Sequence, residues 1–212
     1  MCLSACADRL GIGGCRWCRV RTARLVCRCF PAKDYRAVRL CIRCHRGDPL
    51  NCRVSAARFA GAKTEVVSLK GGEIKGWNHK EWGEAVTVDK TVDSVDAKNY
   101  VALLLPGGVM NPGKLRMDAK AVAFVKAFFD ARKPVAAICH GPWTVIEAGA
   151  ARGRTLTSWP SLKTDIQNAG GRWIDHETVV DGNLITSRNP RDIPAFNREI
   201  AKLFSTAQSQ AA

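Results

Sequence analysis

Apolar residues run unbroken at Val101–Leu105 (VALLL) and Val135–Ile138 (VAAI). Each run stops on a turn signal, Pro106-Gly107-Gly108 for the first and Cys139-His140-Gly141 for the second. Runs without polar alternation suit strands covered on both faces, as in a parallel sheet between helices. Glu65–Leu69 (EVVSL) is a shorter β-rich run ended by Gly71-Gly72. Between the two long runs, Ala121, Val122, Val125, Phe128 and Phe129 recur at spacings of three and four. They predict a helix over Asp118–Ala131 with Asp118 as its N-cap. A second helix is expected from Gly141 to Ala148, stopped by Gly149, and a third over Ser161–Ala169, capped by Ser161. Val179–Ser187 reads as a hairpin turning at Asp181-Gly182. Asp192–Phe204 repeats the amphipathic pattern through Ile193, Phe196, Ile200, Leu203 and Phe204, and the following STAQSQAA is expected to fray. Alternating strands and helices predict a doubly wound α/β sheet.

Residues 1–60 break this rhythm, with neither strand alternation nor a sustained helical stripe. They hold 13 of the 33 Lys+Arg and 3 of the 19 Asp+Glu, so +10 of the net +14 lies there. Nine of the 10 cysteines fall within the first 52 residues. The organisation expected is an atypical Cys/Arg-rich segment over 1–53, an α/β domain over 54–205 and a tail over 206–212. A basic balance raises nucleic acid as a partner, but only through residues 1–58. No apolar run reaches membrane-spanning length and no secretory pattern opens the chain, so a cytoplasmic location is expected.

Cys139 stands just beyond the end of a predicted buried strand and just before a predicted helix. Open α/β sheets place reactive groups there, and a helix N-terminus favours a thiolate. His140 beside it can exchange a proton with the sulfur. The strand–turn–helix setting is that of a nucleophile elbow. From spacing alone, a structural thiol ending a core strand fits equally well. Gly107 and Gly108 let backbone N–H groups come close to a reacting oxygen, as an oxyanion hole requires, although a plain turn explains them too.

Taken together, VALLLPGG, KPVAAICHGPW, ARGRTLTSWPSLKTDI and VVDGNLITSRNPRDIPAF resemble the PfpI-type intracellular protease family. That family lies in the ThiJ/PfpI branch of the class I glutamine amidotransferase-like superfamily, and the resemblance covers about residues 60–205. It implies a flavodoxin-like three-layer α/β/α sandwich with Cys139 as nucleophile and His140 as base. Oxyanion donors would come from the backbone near Gly107, Gly108 and His140. The activities implied are peptidase, glyoxalase-type conversion of methylglyoxal to lactate, or deglycase. The substrate would be a small carbonyl compound or a peptide. No metal or organic cofactor is implied, and a homo-oligomer, dimer or hexamer, is. From position alone, Trp143 is near enough to Cys139 to line a pocket, with core or subunit packing as its other reading, and Arg188, in TSRNP after an apparent strand, is a candidate to bind an acidic substrate group.

Two departures stand out. The family's first buried strand and the Glu of its following loop have no evident counterpart, since the first Glu in the chain is Glu65. Ala23–Phe30 and Ala37–Ile42 are weak stand-ins for that strand, both interrupted by Arg, so the strand is expected to be missing or replaced. An acid that commonly follows the Pro of the P-G-G loop is replaced by Gly113. Asp118 and Glu147 read as helix-surface residues rather than substitutes.

For residues 1–53 three readings stay open. Cys15-x-x-Cys18 and Cys41-x-x-Cys44 have the pairing of a zinc ribbon, with 22 residues between them. An unstructured basic tail is the second reading. The third is an out-of-frame stretch of a GC-rich gene, in which Leu50-Asn51-Cys52 coded CTG-AAC-TGC reads Glu-Leu in a shifted frame. A non-catalytic family member with an oxidisable Cys139 in a stress or redox role, or a zinc or nucleic-acid module fused to the domain, stand as alternatives to the enzyme.

Overall fold

The computed structural model describes residues 36–40, 63–78 and 81–210. Cys15, Cys18, Cys41 and Cys44, and with them the zinc-ribbon reading, lie outside the described residues.

A seven-stranded sheet forms the frame, in the order β10-β11-β7-β6-β1-β2-β5. Its strands are β1 Arg36–Leu40, β2 Lys63–Ser68, β5 Lys90–Thr91, β6 Ala102–Leu105, β7 Val135–Ile138, β10 Thr178–Asp181 and β11 Leu184–Ser187. Every pairing is parallel except β10 with β11. The flavodoxin-like α/β reading therefore holds. The central place falls to β1, whose backbone pairs with β2 on one side and β6 on the other. It overlaps Ala37–Ile42, one of the two stand-ins, beginning one residue earlier at Arg36 and ending at Leu40.

The unbroken apolar strands hide a period of two. Leu103 and Leu105 of β6, Val135 and Ala137 of β7, and Leu184 of β11 join one core. Ala102, Ala136 and Ile185, their sequence neighbours, join the other. Buried parallel strands read as continuous apolar runs because both alternating faces need apolar cover. The first core is completed by α2 (Ala119–Asp130), α3 (Pro142–Glu147) and α4 (Lys163–Asn168), through Ala121, Phe124, Val125, Phe128, Val145 and Ile166. The second is completed by α5 (Ile193–Gln210), through Phe196, Ile200 and Phe204.

Asp118 caps α2 as expected, its carboxylate accepting from Ala121 N–H at 2.9 Å. Four details depart from expectation. Pro160 opens a 3-10 turn over Pro160–Leu162, so Ser161 sits inside that turn and α4 begins only at Lys163. The hairpin pairs Asp181 with Leu184, which makes Gly182-Asn183 its two-residue loop. Helix α5 runs on to Gln210 through residues expected to fray, in a stretch with no Gly or Pro to stop it. A second hairpin, β3 (Glu73–Asn78) with β4 (Glu81–Thr87), was not anticipated. Two further short strands pair in parallel, β8 (Thr155–Leu156) and β9 (Arg172–Trp173). Among the described residues, no helix is long and apolar enough to cross a membrane.

Candidate active site

Strands β6 and β7 are parallel neighbours, with Leu103 opposite Val135 and Leu105 opposite Ala137. Their carboxyl ends therefore deliver Pro106-Gly107-Gly108 and Cys139-His140 to the same edge of the sheet. The two loops touch. A Cβ built on Gly107 would meet Cβ of Cys139 at 2.5 Å and the Ile138 carbonyl oxygen at 2.9 Å. A Cβ on Gly141 would stand 2.7 Å from the Leu105 carbonyl oxygen. Only glycine fits at either place. Gly108 turns the loop with φ +80°. Asn111, 1% exposed, ties it down by donating its amide to the Pro106 carbonyl at 3.1 Å. The helix α1 (Met110–Leu115) follows at once.

Cys139 has φ +63°, a left-handed conformation that costs a non-glycine residue about 1–2 kcal/mol. Three hydrogen bonds hold the turn. Cys139 N–H donates to the Ser187 carbonyl at 2.9 Å, and the Cys139 carbonyl accepts from Trp159 N–H at 2.9 Å. Gly141 N–H closes back on the Ile138 carbonyl at 2.9 Å. The strain lifts the side chain out of the sheet, and the thiol is partly exposed.

Cys139 Sγ lies 3.2 Å from His140 Nδ1. The imidazole is buried, 8% exposed, and its other nitrogen, Nε2, lies 3.3 Å from Ser161 Oγ. Trp159 stacks on the ring at 6.1 Å between centroids and 24° between planes, and Trp143 meets it edge-on at 5.1 Å. Trp143 is itself fixed by donating Nε1–H to Asp165 at 2.7 Å, and Arg116 lies over its ring at 5.7 Å. Trp159 and Ser161 were not singled out as site residues by the sequence. Both ride on a loop that joins the site through long-range contacts, which no local spacing encodes.

Arg188 follows β11, and each of its three guanidinium nitrogens is engaged by a carboxylate. Nε and Nη2 bond the Asp192 carboxylate at 2.9 and 3.0 Å, and Nη1 bonds Asp175 at 2.7 Å. Hydrogen bonds from Asp192 and then Asp175 hold the guanidinium well above its ordinary pKa. Glu147 pairs with Arg116 at 2.9 Å, so with Asp118 on its cap both acids have structural roles. Among the described residues, no group of three or more His, Cys, Asp or Glu side chains is arranged to hold a metal ion.

An α/β sandwich with a strained cysteine between a central strand and a short helix, and a glycine loop pressed against it, defines an α/β protein with a cysteine elbow. The family model that matches residues 50–203 is the DJ-1/PfpI family, and the chain belongs to it. The chain is 45% identical over 143 residues to Deglycase PH1704 of Pyrococcus horikoshii, a match covering 68% of this chain and 83% of that one. It is 44% identical over 152 residues to Protein/nucleic acid deglycase 2 of Escherichia coli, covering 70% and 86%. Among solved structures it superposes, with TM-score 0.72 and 31% identity, on a two-domain protein of Anabaena variabilis containing DJ-1/ThiJ/PfpI-like and ferritin-like domains. That match covers 80% of this chain and 48% of the other, so the chain spans about half of that protein.

Proposed function

We propose that the protein is a cysteine-nucleophile enzyme acting on the carbonyl carbon of a small aldehyde such as methylglyoxal, or of its adducts with amines. The observation that carries this reading is the Cys139–His140 pair, a thiol in a left-handed turn with its sulfur 3.2 Å from an imidazole nitrogen. Two of the relatives are named deglycases, which supports the aldehyde side of the family's activities.

In this reading the Cys139 proton passes to His140 Nδ1, and the thiolate adds to the aldehyde carbon to give a hemithioacetal. Backbone N–H groups of the Gly107-Gly108 loop and of His140 stabilise the oxyanion. A proton moves from the former aldehyde carbon to the adjacent carbonyl carbon through an enediol, leaving a 2-hydroxy thioester. Water hydrolyses that thioester to lactate and returns the thiol. The sum is addition of one water, so no external oxidant or reductant is needed. Trp143 and Trp159 form the walls. The reading keeps the enzyme in the cytoplasm as a homo-oligomer.

Methylglyoxal consumption, lactate formation and peptide hydrolysis by wild type and Cys139→Ala test it. The expected result is lactate formation by wild type alone. Equal rates in the two proteins would sink the enzyme reading and leave a protein with an oxidisable thiol.

For the residues before the family match, we propose the out-of-frame origin. The match begins at residue 50, close to the change in composition near residue 53, although β1 (Arg36–Leu40) pairs into the sheet from before that point. The gene's other two frames upstream of codon 60 decide it, and absence of a Gly-Phe-Glu-like motif from both would end the idea.

A further inference from the structure

A cysteine–histidine pair needs a third group that fixes the imidazole, and in many enzymes that group is a carboxylate. Among the described residues, four carboxylates on the elements around His140 have other partners. Glu147 of α3 binds Arg116, Asp165 of α4 accepts from Trp143, and Asp175 and Asp192 hold Arg188 beyond β11. Of the nearby cations, Lys163 of α4 lies over the Trp173 ring at 5.6 Å. The hydroxyl on His140 Nε2 belongs to Ser161, at 3.3 Å.

We propose that Ser161 is the positioning residue of His140, its hydroxyl holding Nε2 so that Nδ1 faces the Cys139 sulfur. Three features make it suited to this. Pro160 opens the 3-10 turn that carries Ser161, and Leu162 N–H closes that turn on the Trp159 carbonyl at 3.0 Å. Trp159 N–H is anchored on the Cys139 carbonyl, so the loop bearing Ser161 is fixed to the elbow itself. The Trp159 ring stacked on His140 restricts the imidazole to the plane in which Nε2 meets the hydroxyl.

The proton count is simple. When Cys139 ionises, its proton moves from Sγ to Nδ1 and both imidazole nitrogens then carry hydrogen. Nδ1–H donates to the thiolate and Nε2–H donates to Ser161 Oγ, which keeps its own hydrogen and turns it to water. Ser161 is exposed whereas His140 is buried, so the hydroxyl links the imidazole to solvent. A hydroxyl can donate or accept and therefore serves the neutral imidazole as well as the imidazolium. Because it is neutral, it stabilises the imidazolium less than a carboxylate would.

The proposal rests on Cys139 being the reactive thiol of the reading above, yet its test needs no carbonyl substrate. Alkylation of Cys139 by iodoacetamide is followed against pH on the Cys139 peptide by mass spectrometry, in wild type, Ser161→Ala and Ser161→Thr. Ser161→Ala is expected to move the midpoint of the profile upward. Below the midpoint it should slow alkylation about fivefold, the worth of one ordinary hydrogen bond. Ser161→Thr, which keeps the hydroxyl, should restore both. An unmoved midpoint in Ser161→Ala overturns the proposal whatever happens to thermal stability, and so does an equal shift in Ser161→Thr. Absence of methylglyoxal turnover with the midpoint shifted as expected counts against the proposed reaction and leaves the role of Ser161 standing.

Discussion

Gly107 and Cys139, 32 positions apart in the chain, pack so closely that a methyl group on Gly107 would lie 2.5 Å from Cβ of Cys139. The contact couples the glycine loop after β6 to the Cys139 turn without any intervening side chain. It arises because β6 and β7 are adjacent and parallel and end at the same level.

Gly107→Ala is expected to push the two loops apart by about an ångström. Misplacement of that size costs about 100-fold in rate. The overpacking costs about 1–3 kcal/mol of stability. Steady-state kcat/KM with methylglyoxal and denaturant unfolding check both. A variant that retains wild-type kcat/KM would show that the loop takes no part in the chemistry.

Arg188 was expected to bind an acidic group of the substrate, but its guanidinium is engaged by Asp192 and Asp175. The Asp192 side chain is 8% exposed and accepts also from Asn189 at 3.1 Å. Arg188→Ala leaves that buried carboxylate without its main partner, which costs about 2–3 kcal/mol. The predicted signature is loss of stability in denaturant unfolding with little change in KM. A raised KM at unchanged stability would return Arg188 to the substrate.

Gly113 stands inside α1, where a Cβ meets nothing within 4 Å. Glycine in a helix interior costs about 0.5–1 kcal/mol relative to alanine. Gly113→Ala should therefore raise Tm by about 1–4 °C in a chain of this size. Gly113→Asp places here the acid that the resemblance to the PfpI type implies. A kcat/KM above that of Gly113→Ala is expected if the site is completed across a subunit contact, and equal values would argue against it.

The parts of the site legible in the sequence are those encoded by neighbouring residues. VAAI followed by Cys-His-Gly, and VALLL followed by Pro-Gly-Gly, each state a strand and the turn that ends it. Trp159 and Ser161 reach His140 because the Trp159 amide binds the Cys139 carbonyl, a contact across 20 positions that leaves no periodic trace. Ser161 was read as a helix cap by residue type, and Pro160 displaced the turn by one step. The β3–β4 hairpin was hidden by Gly76 and Gly83 within its strands, since glycine weakens a strand signal. The central β1 was obscured by composition, because Arg36 and Arg39 occupy two of its five positions. Its placement comes from backbone pairing with β2 and β6, which a scan for apolar runs does not see.

Lys133 tests how the turn before β6 is secured. Its ammonium donates to the carbonyl oxygens of Ala97, Lys98 and Tyr100 at 2.8, 3.2 and 2.7 Å, at the edge of the Phe128 and Tyr100 core. Lys133→Met keeps most of the apolar stem and removes the donors, so stability should fall by about 1–3 kcal/mol at neutral pH. The pH dependence carries its own sign. Burial lowers the Lys133 pKa below its ordinary 10.5, with Asp96 opposing the shift. In the window just below 10.5 the unfolded chain therefore binds more protons than the folded one, and stability rises with pH there. The gap between wild type and Lys133→Met should widen as pH climbs through that window and level off above it. Urea unfolding of both proteins across the alkaline range reads this directly. A gap that narrows instead would mean that the three carbonyls hold the ammonium better than water does, reversing the balance between burial and hydrogen bonding assigned to this residue.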